Sequence, residues 1–258
     1  MLILVGFGIS GFKGISLEGL EAIKEADKVY LEAYTSPVGL SVRELEEIIG
    51  KEVSLLSRRD LEESTRILDE SIDKKVVVLT PGDPLIATTH VSLVLEAKKR
   101  GIDVKVIHAA SIYTVAMGES GLQAYKFGRM ATLTVPDEFV PLSVYEVIVD
   151  NKRRGLHTLL LLQQDISSGE FLSVKEALSL LVKMEDIKKE GAVSKDTIAI
   201  VLANLGFSDQ VKVAGRIKNL MRFFQNFPPK PAVIIIPGKL HFMEKEAIMN
   251  MWIDEDER

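Results

Sequence analysis

The residues with chemistry to offer lie in glycine- and proline-rich segments that follow apolar runs. The sharpest is Leu79-Thr80-Pro81-Gly82-Asp83-Pro84-Leu85, directly after Val76-Val77-Val78. Two prolines and a glycine force a rigid, sharply turned loop and hold one carboxylate, Asp83, at a strand end. Such an acid can accept hydrogen bonds from a cationic or hydroxylated ligand, or close its own loop as an Asx-type turn. Thr88 and Thr89 follow and can satisfy free backbone donors at a helix start. A second segment, His108-Ala109-Ala110-Ser111-Ile112-Tyr113, offers an imidazole and small residues that permit close backbone approach; Ser111 also suits a helix N-cap. A third, Gly6-Phe7-Gly8-Ile9-Ser10-Gly11, spells GxGxxG, with Glu32 at the end of a second strand. Taken literally, that is a dinucleotide (NAD) fingerprint. Its geometry needs the third glycine in the first turn of a helix, whose N-terminus meets the pyrophosphate. Phe12-Lys13-Gly14-Ile15-Ser16 intervene before helical periodicity begins. The loop therefore reads as a tight strand exit where backbone approaches a ligand or a neighbouring loop.

The remaining reactive residues narrow the chemistry. Of the four histidines, His90 falls in a helical pattern and His157 opens a strand, so both read as structural. His108 and His241 fall in strand-end loops and are the better site candidates. None pairs at metal-ligand spacing, so no metal site is expected. GxSxG is absent, and neither Gly118-Glu119-Ser120-Gly121 nor Pro237-Gly238-Lys239-Leu240 has the phosphate-loop spacing. The chain has no cysteine, which removes thiol nucleophiles, disulfides, cysteine zinc sites and iron–sulfur clusters. A group-transfer enzyme whose cofactor carries the reactive group fits this inventory.

The elements that must position these loops alternate. Short β-branched or leucine-rich runs read as strands at Leu2–Gly8, Lys28–Glu32, Val53–Leu56, Val76–Thr80 and Val104–Ile107. Later ones fall at Ala131–Val135, His157–Leu162, Thr197–Ala203 and Val233–Ile236. Amphipathic segments lie between them: Leu17–Ala26, with Ser16 as N-cap; Val42–Ile49, closed by Gly50; Asp60–Ile72; and Ala87–Arg100. The second half adds Val144–Arg154, Val174–Lys189, Arg216–Phe224 and Glu244–Trp252. Strand–helix alternation predicts α/β architecture with mostly parallel sheets. Weak periodicity over Ala109–Gly128 marks a boundary, giving domains 1–112 and 113–258. Ligands in such folds sit beyond the carboxyl ends of strands or between domains.

Composition agrees. The chain has 258 residues, 47% apolar and 27% charged, long enough to bury a core without staples. Its net charge is −5 and its pI about 5.6, which argues against a broad grip on nucleic acid. The acidic groups Glu62-Glu63 and Asp254-Glu255-Asp256-Glu257 read as solvated faces or tails. The opening Met1-Leu2-Ile3-Leu4-Val5 lacks a basic flank, and it falls short of the ~20 apolar residues a membrane span needs. A soluble, cytoplasmic protein with no membrane partner is expected.

Several segments together resemble a known family. They are Val5-Gly6-Phe7-Gly8-Ile9, Glu32-Ala33-Tyr34-Thr35-Ser36, Leu79 through His90 (LTPGDPLIATTH) and Ile107-His108-Ala109-Ala110-Ser111-Ile112-Tyr113. To these add Tyr125-Lys126-Phe127-Gly128, Arg154-Gly155-Leu156-His157-Thr158-Leu159-Leu160 and Pro237-Gly238-Lys239-Leu240-His241. They resemble the archaeal diphthine synthase family of the tetrapyrrole-methylase-like methyltransferases, over nearly the whole chain. The resemblance implies two α/β domains of the class III methyltransferase type, with S-adenosyl-L-methionine in the inter-domain cleft, and a homodimer. It implies cofactor contacts at Ile9, Asp83, Ile86, Ser111, Ile112, Leu162, Leu205 and Ala232, many through backbone. The implied reaction repeatedly methylates an amine on a modified histidine of translation elongation factor 2. That histidine already carries a 3-amino-3-carboxypropyl group. Asp83 is expected to help fix the cofactor, and one of Lys126, Arg129, Lys239 and His241 to receive the substrate carboxylate; no general base is singled out. The sequence departs from family habit at Ala232, where only a backbone contact carries over, and at Gln163-Gln164, where an acid is commoner. Ile9-Ser10 stands where tetrapyrrole-acting relatives often have a longer GPG-type loop, which argues against a tetrapyrrole substrate. Rival readings are a small-molecule methyltransferase on the same fold, an NAD-dependent oxidoreductase, and a binding module that keeps the cofactor as a structural ligand.

Overall fold

Alternation within the apolar runs decides how the first half packs. In Leu2-Ile3-Leu4-Val5, the odd and even residues enter different buried clusters, and Val76-Val77-Val78-Leu79 divides the same way. A strand buried on both faces needs this, because successive side chains point to opposite sides of the sheet. The computed structural model describes residues 1–32, 34, 39–62, 65–136, 140–165, 170–228 and 230–253. Ala33, Thr35 and Ser36 of the family-like segment, Glu63, and Asp254-Glu255-Asp256-Glu257 lie outside the described residues.

The chain divides into two compact units, one built on Met1–Ile112 and the other on Tyr113–Gln164 and Glu170 onward. In chain order the first contains β1 (Leu2–Gly6), α1 (Leu17–Glu25), β2 (Lys28–Glu32), α2 (Val42–Ile49) and β3 (Val53–Leu56). It continues with α3 (Arg58–Glu62), α4 (Arg66–Asp73), β4 (Val76–Thr80), α5 (Val91–Lys99) and β5 (Val104–Ile107). All five strands are parallel, in the order β3-β2-β4-β1-β5. Their carboxyl ends therefore share one edge, and the β4, β1 and β5 loops are neighbours there. Local signals start and stop the helices as expected. Ser16 accepts from Gly19 N–H at 3.0 Å, Ser41 and Glu44 form a capping box, and Gly50 closes α2 in the left-handed region.

The second unit contains most of α6 (Ile112–Glu119), then β6 (Ala131–Leu133), α7 (Leu142–Arg153), β7 (Thr158–Leu162), β8 (Gln164–Asp165, whose Asp165 groups with the first unit), β9 (Glu170–Phe171) and α8 (Val174–Lys188). It ends with β10 (Ile198–Ala203), β11 (Val211–Arg216), α9 (Ile217–Phe223), β12 (Ala232–Ile236) and α10 (Phe242–Met249). Its main sheet runs β11-β10-β12-β7-β6, and only the β6–β7 pair is parallel. The expectation of mostly parallel sheets is corrected here. No helix separates β10 from β11, and without a crossover two consecutive paired strands run antiparallel. β11 itself interrupts Val211 and Val213 with Lys212, so it carries no solid apolar run to mark it in sequence. The expected helix Asp60–Ile72 is two helices, α3 and α4. The expected helix Ala87–Arg100 begins only at Val91, because Ala87 takes a left-handed turn (φ 58°) after the Pro84 loop. Among the described residues no helix is long and apolar enough to cross a membrane.

Candidate active site

Backbone hydrogen bonds stitch the β1 and β4 exits together. Gly8 N–H donates to the Gly82 carbonyl at 3.2 Å, and Gly82 N–H returns the bond at 2.9 Å. The β5 loop closes on the same point. A Cβ on Gly6 would lie 2.5 Å from the Gly82 oxygen and 2.9 Å from both Ala109 Cβ and Pro84 Cδ, so only glycine fits. Gly82 has φ +66°, and a Cβ there would meet nothing within 4 Å. The loops are thus packed beneath and open above. That arrangement fits a ligand held through backbone groups. The GxGxxG segment does not form a dinucleotide site: Gly11 opens a 3-10 turn, Gly11–Gly14, and α1 begins only at Leu17.

Asp83 binds the loops to one another. Its Oδ1 accepts from Leu85 N–H at 2.9 Å, closing an Asx-type turn. Its Oδ2 accepts from Ala109 N–H at 3.2 Å and faces His108 Nδ1 at 2.8 Å. With backbone donors on both oxygens the carboxyl is an acceptor, so His108 Nδ1 is the donor to it, and in the neutral ring Nε2 is the nitrogen that carries the lone pair. Asp83 is buried, whereas the His108 side chain is 65% exposed. The arrangement gives a carboxylate-oriented imidazole with its outer nitrogen in solvent, at the mouth of the three loops.

A second imidazole–carboxylate pair lies deeper in this unit. His90 Nδ1 is 2.9 Å from the Pro84 carbonyl, which only accepts, so it too carries a proton. His90 Nε2 lies 3.2 Å from Glu32 Oε2, and both side chains are buried. Thr88 Oγ1 also donates to the Pro84 carbonyl, at 2.7 Å. Glu32, the acid that a dinucleotide reading would place on a ribose, is therefore turned inward to brace the Asp83 loop.

The second unit holds a buried carboxylate that the sequence reading missed. Glu244, with no exposed side-chain surface, accepts from Gln123 N–H at 2.9 Å, His241 N–H at 2.7 Å, His157 Nε2 at 3.0 Å and Lys126 Nζ. Gly238 N–H donates to His157 Nδ1 at 2.9 Å, which places the ring proton on Nε2. Burial alone would raise the Glu244 carboxyl. The His241 N–H, the Lys126 ammonium, the Gln123 N–H and the His157 ring outweigh it and hold the group down at about 2. Burial also keeps the His157 ring below its ordinary value, against the pull of Glu244. The signal for Glu244 was present as its spacing, three residues past the N-cap His241.

The expected cofactor residues fall into two groups. Ile9, Asp83, Ile86, Ser111 and Ile112 follow the carboxyl ends of β1, β4 and β5. Leu162 ends β7, Leu205 follows β10 and Ala232 opens β12 beside Ala203, so these three share one edge of the second unit's sheet. Lys126, Arg129, Lys239 and His241 gather at the opposite edge, where β7 begins and β12 ends. Lys126 bonds to Glu244 and to the Lys239 carbonyl, Lys239 N–H donates to Gly155 O, and Asn151 holds the Arg129 backbone. Within this sheet the four therefore lie at the end opposite Leu162, Leu205 and Ala232. The length of β7, roughly 13 Å at ~3.3 Å per residue, separates the two groups.

The family described as Tetrapyrrole (Corrin/Porphyrin) Methylases matches residues 1–221. A diphthine synthase from Methanocaldococcus jannaschii is 44% identical over 253 residues, 96% of this chain and 97% of that one. One from Methanocella arvoryzae is 42% identical over 255 residues, 97% of this chain and 98% of that one. A crystal structure of diphthine synthase superposes with a TM-score of 0.86 at 37% identity, covering 97% of this chain and 95% of that one.

Proposed function

Because this chain belongs to the diphthine synthase family of tetrapyrrole methylases, we propose that it makes diphthine on translation elongation factor 2. The family makes it a methyltransferase. In the proposal, S-adenosyl-L-methionine is the donor, and when bound it supplies a methyl group on a sulfonium sulfur. The acceptor is the amino group of the 3-amino-3-carboxypropyl histidine, methylated repeatedly. The observation that carries the reading is agreement with diphthine synthases over nearly the full length of both chains.

The chain's own residues have modest work in such a reaction. Displacement at a methyl carbon is in-line, so alignment of the amine contributes most of the catalysis. Ile9, Asp83, Ile86, Ser111, Ile112, Leu162, Leu205 and Ala232 are assigned to the cofactor. Asp83 would act through the loop it fixes, since its oxygens already accept from Leu85, Ala109 and His108. The proposal also includes the domain division 1–112 and 113–258, a homodimer, a cytoplasmic setting and an archaeal source.

An acceptor comparison tests the reading. The protein, with methyl-labelled S-adenosylmethionine, should label elongation factor 2 that carries the 3-amino-3-carboxypropyl histidine, and leave the unmodified factor and uroporphyrinogen unlabelled. Label on uroporphyrinogen alone would transfer the assignment to a small-molecule methyltransferase.

A further inference from the structure

We propose that His108 is the general base of the transfer, its Nε2 taking the proton from the substrate ammonium while Asp83 holds Nδ1–H. This rests on the function proposed above. Asp83 Oδ2 lies 2.8 Å from His108 Nδ1, and the Leu85 and Ala109 N–H groups keep the buried carboxylate from turning elsewhere. A carboxylate so placed selects the Nδ1–H tautomer and leaves the Nε2 lone pair outermost. The ring is 65% exposed, so an amine carried on another protein can reach it. It also stands on the β5 loop, between Asp83 and the segment Ser111-Ile112, on the edge that holds Ile9 and Ile86.

No other described histidine combines these features. His157 uses both ring nitrogens internally, on Gly238 N–H and Glu244. His90 is buried against Glu32 and the Pro84 carbonyl. His241 is exposed, but it lies on the edge of its sheet away from Leu162, Leu205 and Ala232, with its ring against Phe242 at 4.2 Å.

The reaction calls for such a group. An aliphatic amine beside a free carboxylate is more basic than a chain-terminal amine, which titrates near ~8, so at neutral pH the acceptor is mostly an ammonium with no lone pair. The ammonium proton passes to His108 Nε2. The freed nitrogen lone pair then forms the N–C bond to the methyl carbon as the C–S bond breaks, and the C–S electron pair stays on sulfur as a neutral thioether. The His108 imidazolium returns its proton to water. Until the trimethylammonium is reached, each product again carries a proton that must leave before the next transfer, so one base serves every round.

His108→Gln and His108→Ala, made in the full chain, test the assignment with S-adenosylmethionine and the modified elongation factor. We expect kcat to fall by about 10²-fold or more, in the range of a lost general base. The KM for the donor and the affinity for S-adenosylhomocysteine should change little, and added imidazole should restore part of the turnover of His108→Ala. Diethyl pyrocarbonate, which acylates accessible neutral imidazole, supplies a readout without turnover. It should modify His108 and His241 and spare His90 and His157, and Asp83→Asn should slow the reaction at His108 alone. Near wild-type kcat in both variants, or a His108 that stays unmodified while His241 reacts, overturns the assignment. So does a loss of turnover that comes with loss of S-adenosylhomocysteine binding, which would make His108 a binding residue. If the unaltered protein methylates no modified factor, the proposed function fails, and the base assignment with it.

Discussion

His108–Asp83 in the first unit and His157–Glu244 in the second are the same two functional groups at hydrogen-bond distance, put to opposite uses. At Glu244 every partner faces inward. The imidazole gives Nε2–H to the carboxylate and receives Gly238 N–H on Nδ1, so neither nitrogen is left to meet a substrate. At Asp83 the carboxylate is just as buried, but only the inner nitrogen of the imidazole is used, and the ring projects into solvent. The lesson is that an imidazole–carboxylate pair is not itself a site. What the second nitrogen meets decides whether the pair fastens the chain or handles a proton.

That comparison can be broken by substitution, and the largest effect should come from the closed pair. Glu244→Ala leaves Lys126 without its carboxylate and three further donors unmatched, so urea unfolding should show a loss of about 3–5 kcal/mol. A variant as stable as the parent would mean the clasp is ornamental. Asp83→Ala removes a buried acceptor of backbone and ring donors and should cost about 1–3 kcal/mol, with turnover falling as well.

Acid should act on the closed pair first. Glu244 is held at about 2 against an ordinary 4.5, so its stabilisation is complete above 4.5 and is lost as pH falls toward 2. His157 adds to the trend. Its lowered value means the unfolded chain takes up a proton below 6.5 that the folded ring refuses, so stability also falls with pH there. Glu244→Gln should remove the part of the decline between 4.5 and 2; an unchanged decline would place the acid-sensitive group elsewhere. The smallest effect on stability belongs to His108→Gln, which removes one donor from Asp83 but leaves its backbone donors in place and should lower unfolding stability by about 0.5–1.5 kcal/mol.

Much of the first unit was legible because its strands are solid apolar runs and its loops carry glycine and proline. Val76–Thr80, the turn at Gly82 and the caps at Ser16 and Gly50 all follow from local rules. The second unit was harder to read. β11 alternates Val and Lys on a sheet edge, and antiparallel pairing of β10, β12 and β7 leaves no mark in a single segment. Site chemistry divides the same way. Asp83 and His108 stood out because they sit in unusual loops. His90 and His157 read as structural and are buried in internal pairs, whereas Glu244 was passed over because helical positions look alike until the fold shows what they face. The placement of Lys126, Arg129, Lys239 and His241 was illegible for a related reason: sequence shows that they follow strands or precede them, but only the strand directions put them on the far edge of the second unit's sheet from Leu162, Leu205 and Ala232.

The most direct test of the contrast is the tautomer of the two rings, read from their side-chain nitrogen shifts by NMR in one sample of the intact protein at neutral pH. Our account requires a proton on Nδ1 and a bare Nε2 at His108, and the reverse at His157. A proton on Nε2 of His108, with Nδ1 bare, would contradict it.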